Sequence, residues 1–173
     1  IALPWHENFD FLDRLRRVII HEIEAFEALP PSASEKNQDP VMQQVLPFIC
    51  SSLLDRSKAL ASNSIQALGD LFHAHGRYMR LSADLEGPLS TLLDLVAGKG
   101  GAKRELKEAA ANALEIAVTS VPAKSVAPSL VPPARGHRNS DVQCLAQHLL
   151  LDSLLKLVQK AEAKAKAEAK GEA

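Results

Sequence analysis

Polar loops return about every 40 residues along this chain, at 55–58, 98–103 and 133–140, and each separates two stretches of helical periodicity. A helix, a short polar loop and a second helix cannot bury their apolar faces alone, so such units must stack on their neighbours. Strand signals are nearly absent: no alternating β-branched run is bounded by Asn-Gly or Asp-Gly turns. The sequence therefore predicts an all-α solenoid of antiparallel helix pairs, HEAT-like, with about three and a half repeats.

The segments can be placed from their apolar spacing and their stops. The first helix is expected from about His6 to Leu29, with Phe9, Leu12, Leu15, Ile19, Ile23 and Phe26 on one face and Arg14, Arg16, Arg17, Glu22 and Glu24 mostly on the other. Pro30-Pro31 ends it, and a polar linker runs over 30–39. Asp39-Pro40 reads as an N-cap followed by proline at the first helical position, opening a second helix to about Leu54. The third is expected over Ala59–Met79, burying Ile65, Leu68, Leu71 and Phe72, and the fourth from a Ser82 or Asp84 cap to Ala97. Gly98-Lys-Gly-Gly is a helix stop. A fifth, Ala-rich helix spans Lys103–Ser120, a shorter one Ala123–Pro132, and a last one Val142–Gln159, capped by Ser140 or Asp141. Residues 1–159 thus form one domain. The tail 160–173 alternates Ala with Lys and Glu; it has no apolar face and reads as solvated helix, frayed end or linker.

The 173 residues are 46% hydrophobic but only 4% aromatic, mostly Leu, Ala, Val and Ile, which suits close helix packing. With 20 basic and 21 acidic residues the net charge is -1, so no whole-molecule field draws nucleic acid or anionic lipid. Cys50 and Cys144 lack CxxC spacing and are expected to be buried free thiols in a reducing compartment. No apolar run reaches the roughly 18 residues that span a bilayer, and no secretory signal is visible. The chain opens at Ile1 rather than Met, so a piece of a longer polypeptide is expected.

In a stack of helix pairs the within-pair loops share one edge. That edge should collect Trp5 ahead of the first helix, Arg56 and Lys58, then Lys99, Lys103 and Arg104, then Arg135, His137 and Arg138. Between Lys99 and Arg138 there are seven Lys or Arg against three Asp or Glu. An aromatic at one end of a basic row suits an acidic protein surface. Singly, each residue has a plainer reading: Trp5 as a lid on the end of the core, each Lys or Arg as a solvated loop residue. Their joint position on one edge, rather than any single residue, points to a binding surface.

The same residues carry a family resemblance. Trp5-His-Glu-Asn-Phe-Asp-Phe-Leu-Asp-Arg-Leu-Arg-Arg resembles the Trp-led second helix of the first repeat in TOG domains. Ser64-Ile-Gln-Ala-Leu-Gly-Asp-Leu-Phe resembles the second repeat of the CLASP and Crescerin branch. Leu85 to Val96 followed by Glu108-Ala-Ala-Ala-Asn-Ala-Leu resembles the third repeat, and Arg135-Gly-His-Arg-Asn-Ser-Asp-Val-Gln the loop of the fourth. The resemblance covers about residues 4–158. It implies a HEAT solenoid that binds tubulin or microtubules through within-repeat loops, with Trp5, Arg56, Lys58, Lys99, Lys103, Arg104 and Arg138 as contacts, in a cytoplasmic, cytoskeletal setting that extends to the cilium and axoneme. The chain departs from the family in three places. TOG domains have six repeats; Gln143 stands where Arg commonly follows Val; and Lys99-Gly-Gly-Ala-Lys carries an extra glycine. A structural scaffold in a larger assembly, without free-tubulin binding, is the alternative.

The sequence carries no catalytic or cofactor signature. No phosphate loop, dinucleotide fingerprint, zinc-protease motif or nucleophile elbow occurs. His73 and His75, two apart, leave a helix on different sides, and His137 and His148 lack ligand partners at metal spacing. Asp10 with Asp13 and Glu22 with Glu24 read as helix-surface acids. No enzyme, cofactor, small-molecule substrate or membrane role is expected. A basic ridge can follow a phosphate backbone, but near-zero charge and few aromatics argue against nucleic acid.

Overall fold

The architecture follows from which faces the helices must bury. The computed structural model describes residues 4–21, 40–79 and 82–171. Among these residues there are α-helices α1 (Trp5–His21), α2 (Pro40–Ser52), α3 (Lys58–His75), α4 (Ser82–Val96), α5 (Arg104–Ser120), α6 (Ala123–Arg135) and α7 (Ser140–Gly171), and no strand. The expected residues 22–29 of the first helix, the linker 30–39 and the Asp39 cap lie outside the described residues.

The helices form two layers. In one, α1, α3, α5 and α7 lie side by side and run parallel; in the other, α2, α4 and α6 do the same. Antiparallel pairs α2–α3, α4–α5 and α6–α7 bridge the layers, and among the described residues α1 stands as a half-repeat at one end. The outer helices begin at Pro40, Ser82 and Ala123, which keeps the roughly 40-residue period of the sequence. The core runs between the layers. Ile65, Leu68, Leu71 and Phe72 of α3, at the middle of the stack, are all buried, as their spacing requires. Leu12 and Ile19 do the same for α1.

Polar contacts hold the register of the parallel layer. Arg16, expected mostly on the solvent face, is instead a cross-link from α1 to α3. Its Nε donates to Asp70 Oδ2 at 2.7 Å, and its Nη1 donates to Asn63 Oδ1 at 3.0 Å and Gln66 Oε1 at 2.6 Å. Asn63 Nδ2 donates in turn to the Phe9 carbonyl at 3.3 Å. Between α3 and α5 the backbones approach closely: a Cβ on Gly76 would stand 3.0 Å from the Ser120 carbonyl carbon. Lys156 of α7 donates to the Val118 carbonyl of α5 at 2.7 Å. That carbonyl lacks its usual helical donor because position 122, four residues on, is proline.

The local details depart from the sequence reading in three places. The sixth helix runs three residues past Pro132 to Arg135, because Pro132 and Pro133 lie within its packed turns against α7 rather than at a free end. The cap of α7 is Asn139: its Oδ1 accepts from the N–H of Asp141 at 2.9 Å and of Val142 at 3.3 Å, while Ser140 and Asp141 are already helical. The Ala/Lys/Glu segment agrees with the solvated-helix alternative, continuing α7 without a break to Gly171 as its helix-favouring residues allow. The thiols are both free but not both buried: Cys50 is half-buried and Cys144 exposed, since Cys144 falls on the outer side of the first turns of α7.

Candidate functional site

The topology sends the N-terminus of α1 and the loops 53–57, 97–103 and 136–139 to one edge, and the turns after α3 and α5 to the other. On the first edge, every helix of the parallel layer presents its N-terminal end.

Each loop is built by a local device. In the first, Asp55 Oδ1 accepts from Ser57 N–H at 2.7 Å, and Ser57 Oγ caps α3 through Leu60 N–H at 3.4 Å. This fixes Arg56 outward and makes Lys58 the first residue of α3. In the second, Gly98 (φ 89°), Gly100 (φ 69°) and Gly101 (φ 71°) take the left-handed backbone that other residues disfavour. The chain then turns sharply from α4 into Lys103, whose side chain makes no capping bond. In the third, the Asn139 N–H donates to His137 Nδ1 at 3.1 Å and Asn139 caps α7, leaving Arg138 exposed between them.

These devices bring Lys58 and Lys103, 45 positions apart in sequence, close enough for each to feel the other's charge. Hydrogen bonding to Lys103, then its charge, holds the Lys58 ammonium below its ordinary pKa, with Glu105 acting weakly the other way. Positive side chains at positive helix ends are electrostatically unfavourable for the fold. Asp and Glu would be favoured there; the first turn of α3 has none, and that of α5 has only Glu105. The edge is therefore a place where an incoming anion gains from two helix ends and several cations at once.

The expected site residues divide by what they touch. Arg56, Lys58, Lys103 and Arg138 are exposed along the edge. Arg104 opens α5 beside them, its Nε donating to Glu108 at 2.7 Å, an exposed i,i+4 pair that raises its pKa. Lys99 is exposed but bonded to Asp94 Oδ2 at 2.6 Å, so much of its charge is answered within the chain. Trp5 opens α1 on the same edge; its side chain lies outside the described residues. His73 is exposed and His75 buried, so the two leave α3 on different sides. Arg16 was missed as a positioning residue: its periodicity gave no sign of a partner 54 positions away.

An apolar stripe escaped the sequence reading as well. Leu151, Leu154, Leu155 and Val158 of α7 are each about half exposed, at the spacing of one helix face, on the open end of the stack. Among the described residues no helix is long and apolar enough to cross a membrane. Comparison with family models, curated proteins and solved structures found no match to this chain.

Proposed function

We propose that the chain is a divergent TOG-like helical-repeat module that binds tubulin or microtubules through its loop edge, as part of a larger cytoskeletal or ciliary protein. The observation that carries this reading is the set of exposed cations Arg56, Lys58, Lys103, Arg104 and Arg138 gathered on one loop edge, at the N-terminal ends of α3, α5 and α7. A rigid two-layer stack holds these cations in fixed spacing, so an acidic partner meets them without ordering a loop first. The ordered resemblance of four successive segments to TOG repeats supports tubulin as that partner. Binding is by surface contact, with no chemical step.

The test is co-sedimentation with taxol-stabilised microtubules beside gel filtration with free tubulin, using the chain and an Arg56→Ala, Lys103→Ala, Arg104→Ala variant. Binding that the variant loses supports the edge, and the free-tubulin arm separates dimer from lattice. Trp5→Ala should cost about 2 kcal/mol or more if Trp5 anchors the contact. No binding in either arm refutes the proposal. A second reading, a structural scaffold without tubulin affinity, is favoured by the exposed stripe on α7, which suits continuation of a helical stack.

A further inference from the structure

We propose that the groove between α4 and α6 binds a cationic side chain, arginine above all, from a basic segment of a partner protein. The groove lies in the opposite layer from the exposed lysines and does not depend on the reading of the loop edge. It encloses about 510 Å³ and is walled by Glu86, Ser90 and Asp94 of α4 and by Ser129 and Pro132 of α6, with His137 at its loop end. That volume takes a long side chain and the backbone that carries it.

The wall formed by α6 is unusual in its acceptors. Pro132 and Pro133 have no N–H, so the carbonyls of Pro128 and Ser129, four residues earlier, lack their usual helical donor. Residues 128, 129, 132 and 133 all line the groove. Facing them, α4 supplies the carboxylates of Glu86 and Asp94. Carboxylates, donor-poor carbonyls and two hydroxyls make a site that asks for several N–H donors spread in a plane. A guanidinium brings five, and proline rings give its aliphatic stem an apolar wall.

The chain already shows the preference at one end of the groove, where the Lys99 ammonium donates to Asp94 at 2.6 Å. Lys99 lies on the loop outside the cavity lining, so it occupies one carboxylate and leaves Glu86 and the carbonyls open to a guest. An incoming arginine binds at Glu86 and the α6 carbonyls; Asp94, eight residues and about 12 Å further along α4, is reached by a second arginine of the same segment, which competes there with Lys99.

The experiment is fluorescence anisotropy of a fluorescein-labelled arginine-glycine peptide with the full chain, beside the same peptide carrying citrulline, a neutral analogue of arginine. The arginine peptide should bind at least about tenfold more tightly than the citrulline peptide, the value of one charge-assisted contact. Glu86→Gln should weaken it by a similar factor. Pro132→Ala returns an N–H to the Pro128 carbonyl and favours the helix, so it should weaken binding while the circular dichroism is unchanged. Lys99→Ala should strengthen binding by freeing Asp94. The Arg56, Lys103, Arg104 alanine variant should not weaken it, which separates this groove from the loop edge. Absence of binding, equal binding of the citrulline peptide, or indifference to both Glu86→Gln and Pro132→Ala overturns the proposal.

Discussion

Removing Arg16 tests the claim that α1 is held in register by one guanidinium. The Arg16–Asp70 pair is 2.7 Å long with side chains 24% and 28% exposed, which puts it between a surface pair and a buried one. A charge-assisted hydrogen bond there contributes about 1.5–2 kcal/mol, and the Asn63 bond about 0.5–1 kcal/mol. The Gln66 bond is exposed and adds little. The three share one side chain, so Arg16→Ala should cost about 2–3 kcal/mol rather than their sum. Arg17 is the internal control: it pairs with Asp13 one turn away at the same 2.7 Å, but is 73% exposed. Arg17→Ala should cost no more than about 0.5 kcal/mol. Urea unfolding followed by far-UV circular dichroism reads the difference as a midpoint shift of about 1 M or more for Arg16→Ala. A double-mutant cycle with Asp70→Asn should return about 1 kcal/mol or more of coupling. Equal losses for the Arg16 and Arg17 variants, or coupling near zero, would refute the cross-link. The consequence for function is direct, because α1 carries Trp5 to the loop edge.

Two further outcomes follow from side-chain environments. NMR titration should find the Lys58 ammonium releasing its proton below the ordinary 10.5, and Lys103→Gln should raise it again; an unchanged titration would show that the two loops do not meet. Burial pushes the Cys50 thiol up from 9.0 to about 12, so alkylation at mildly alkaline pH should reach exposed Cys144 first. Because the folded value lies above the unfolded one, this group's stability contribution is whole below pH 9 and is lost as pH rises toward about 12. Cys50→Ala should flatten that alkaline decline, and equal labelling rates at the two cysteines would count against the burial of Cys50.

The helices and their stacking were written in the sequence because they rest on short-range physics. Three-and-four spacing of Leu12, Ile19, Ile65, Leu68 and Leu71 marks buried faces, and Gly98 and the Ser57 and Asn139 neighbourhoods mark where helices stop and start. A period of roughly 40 residues then forces a stack and one shared loop edge. What the sequence left undecided concerns pairs set far apart. That Lys58 lies beside Lys103 and that Arg16 reaches Asp70 depend on the lateral offset between parallel helices. That offset is fixed by close packing at places such as Gly76 against Ser120, which no periodicity reveals. The same holds for the groove: the sequence reads as a Pro-interrupted helix over Ala123–Pro132 with Pro133 opening the next loop. Packing against α4 and α7 keeps these residues helical, and places Pro128, Pro132 and Pro133 along the same groove as Glu86 and Asp94.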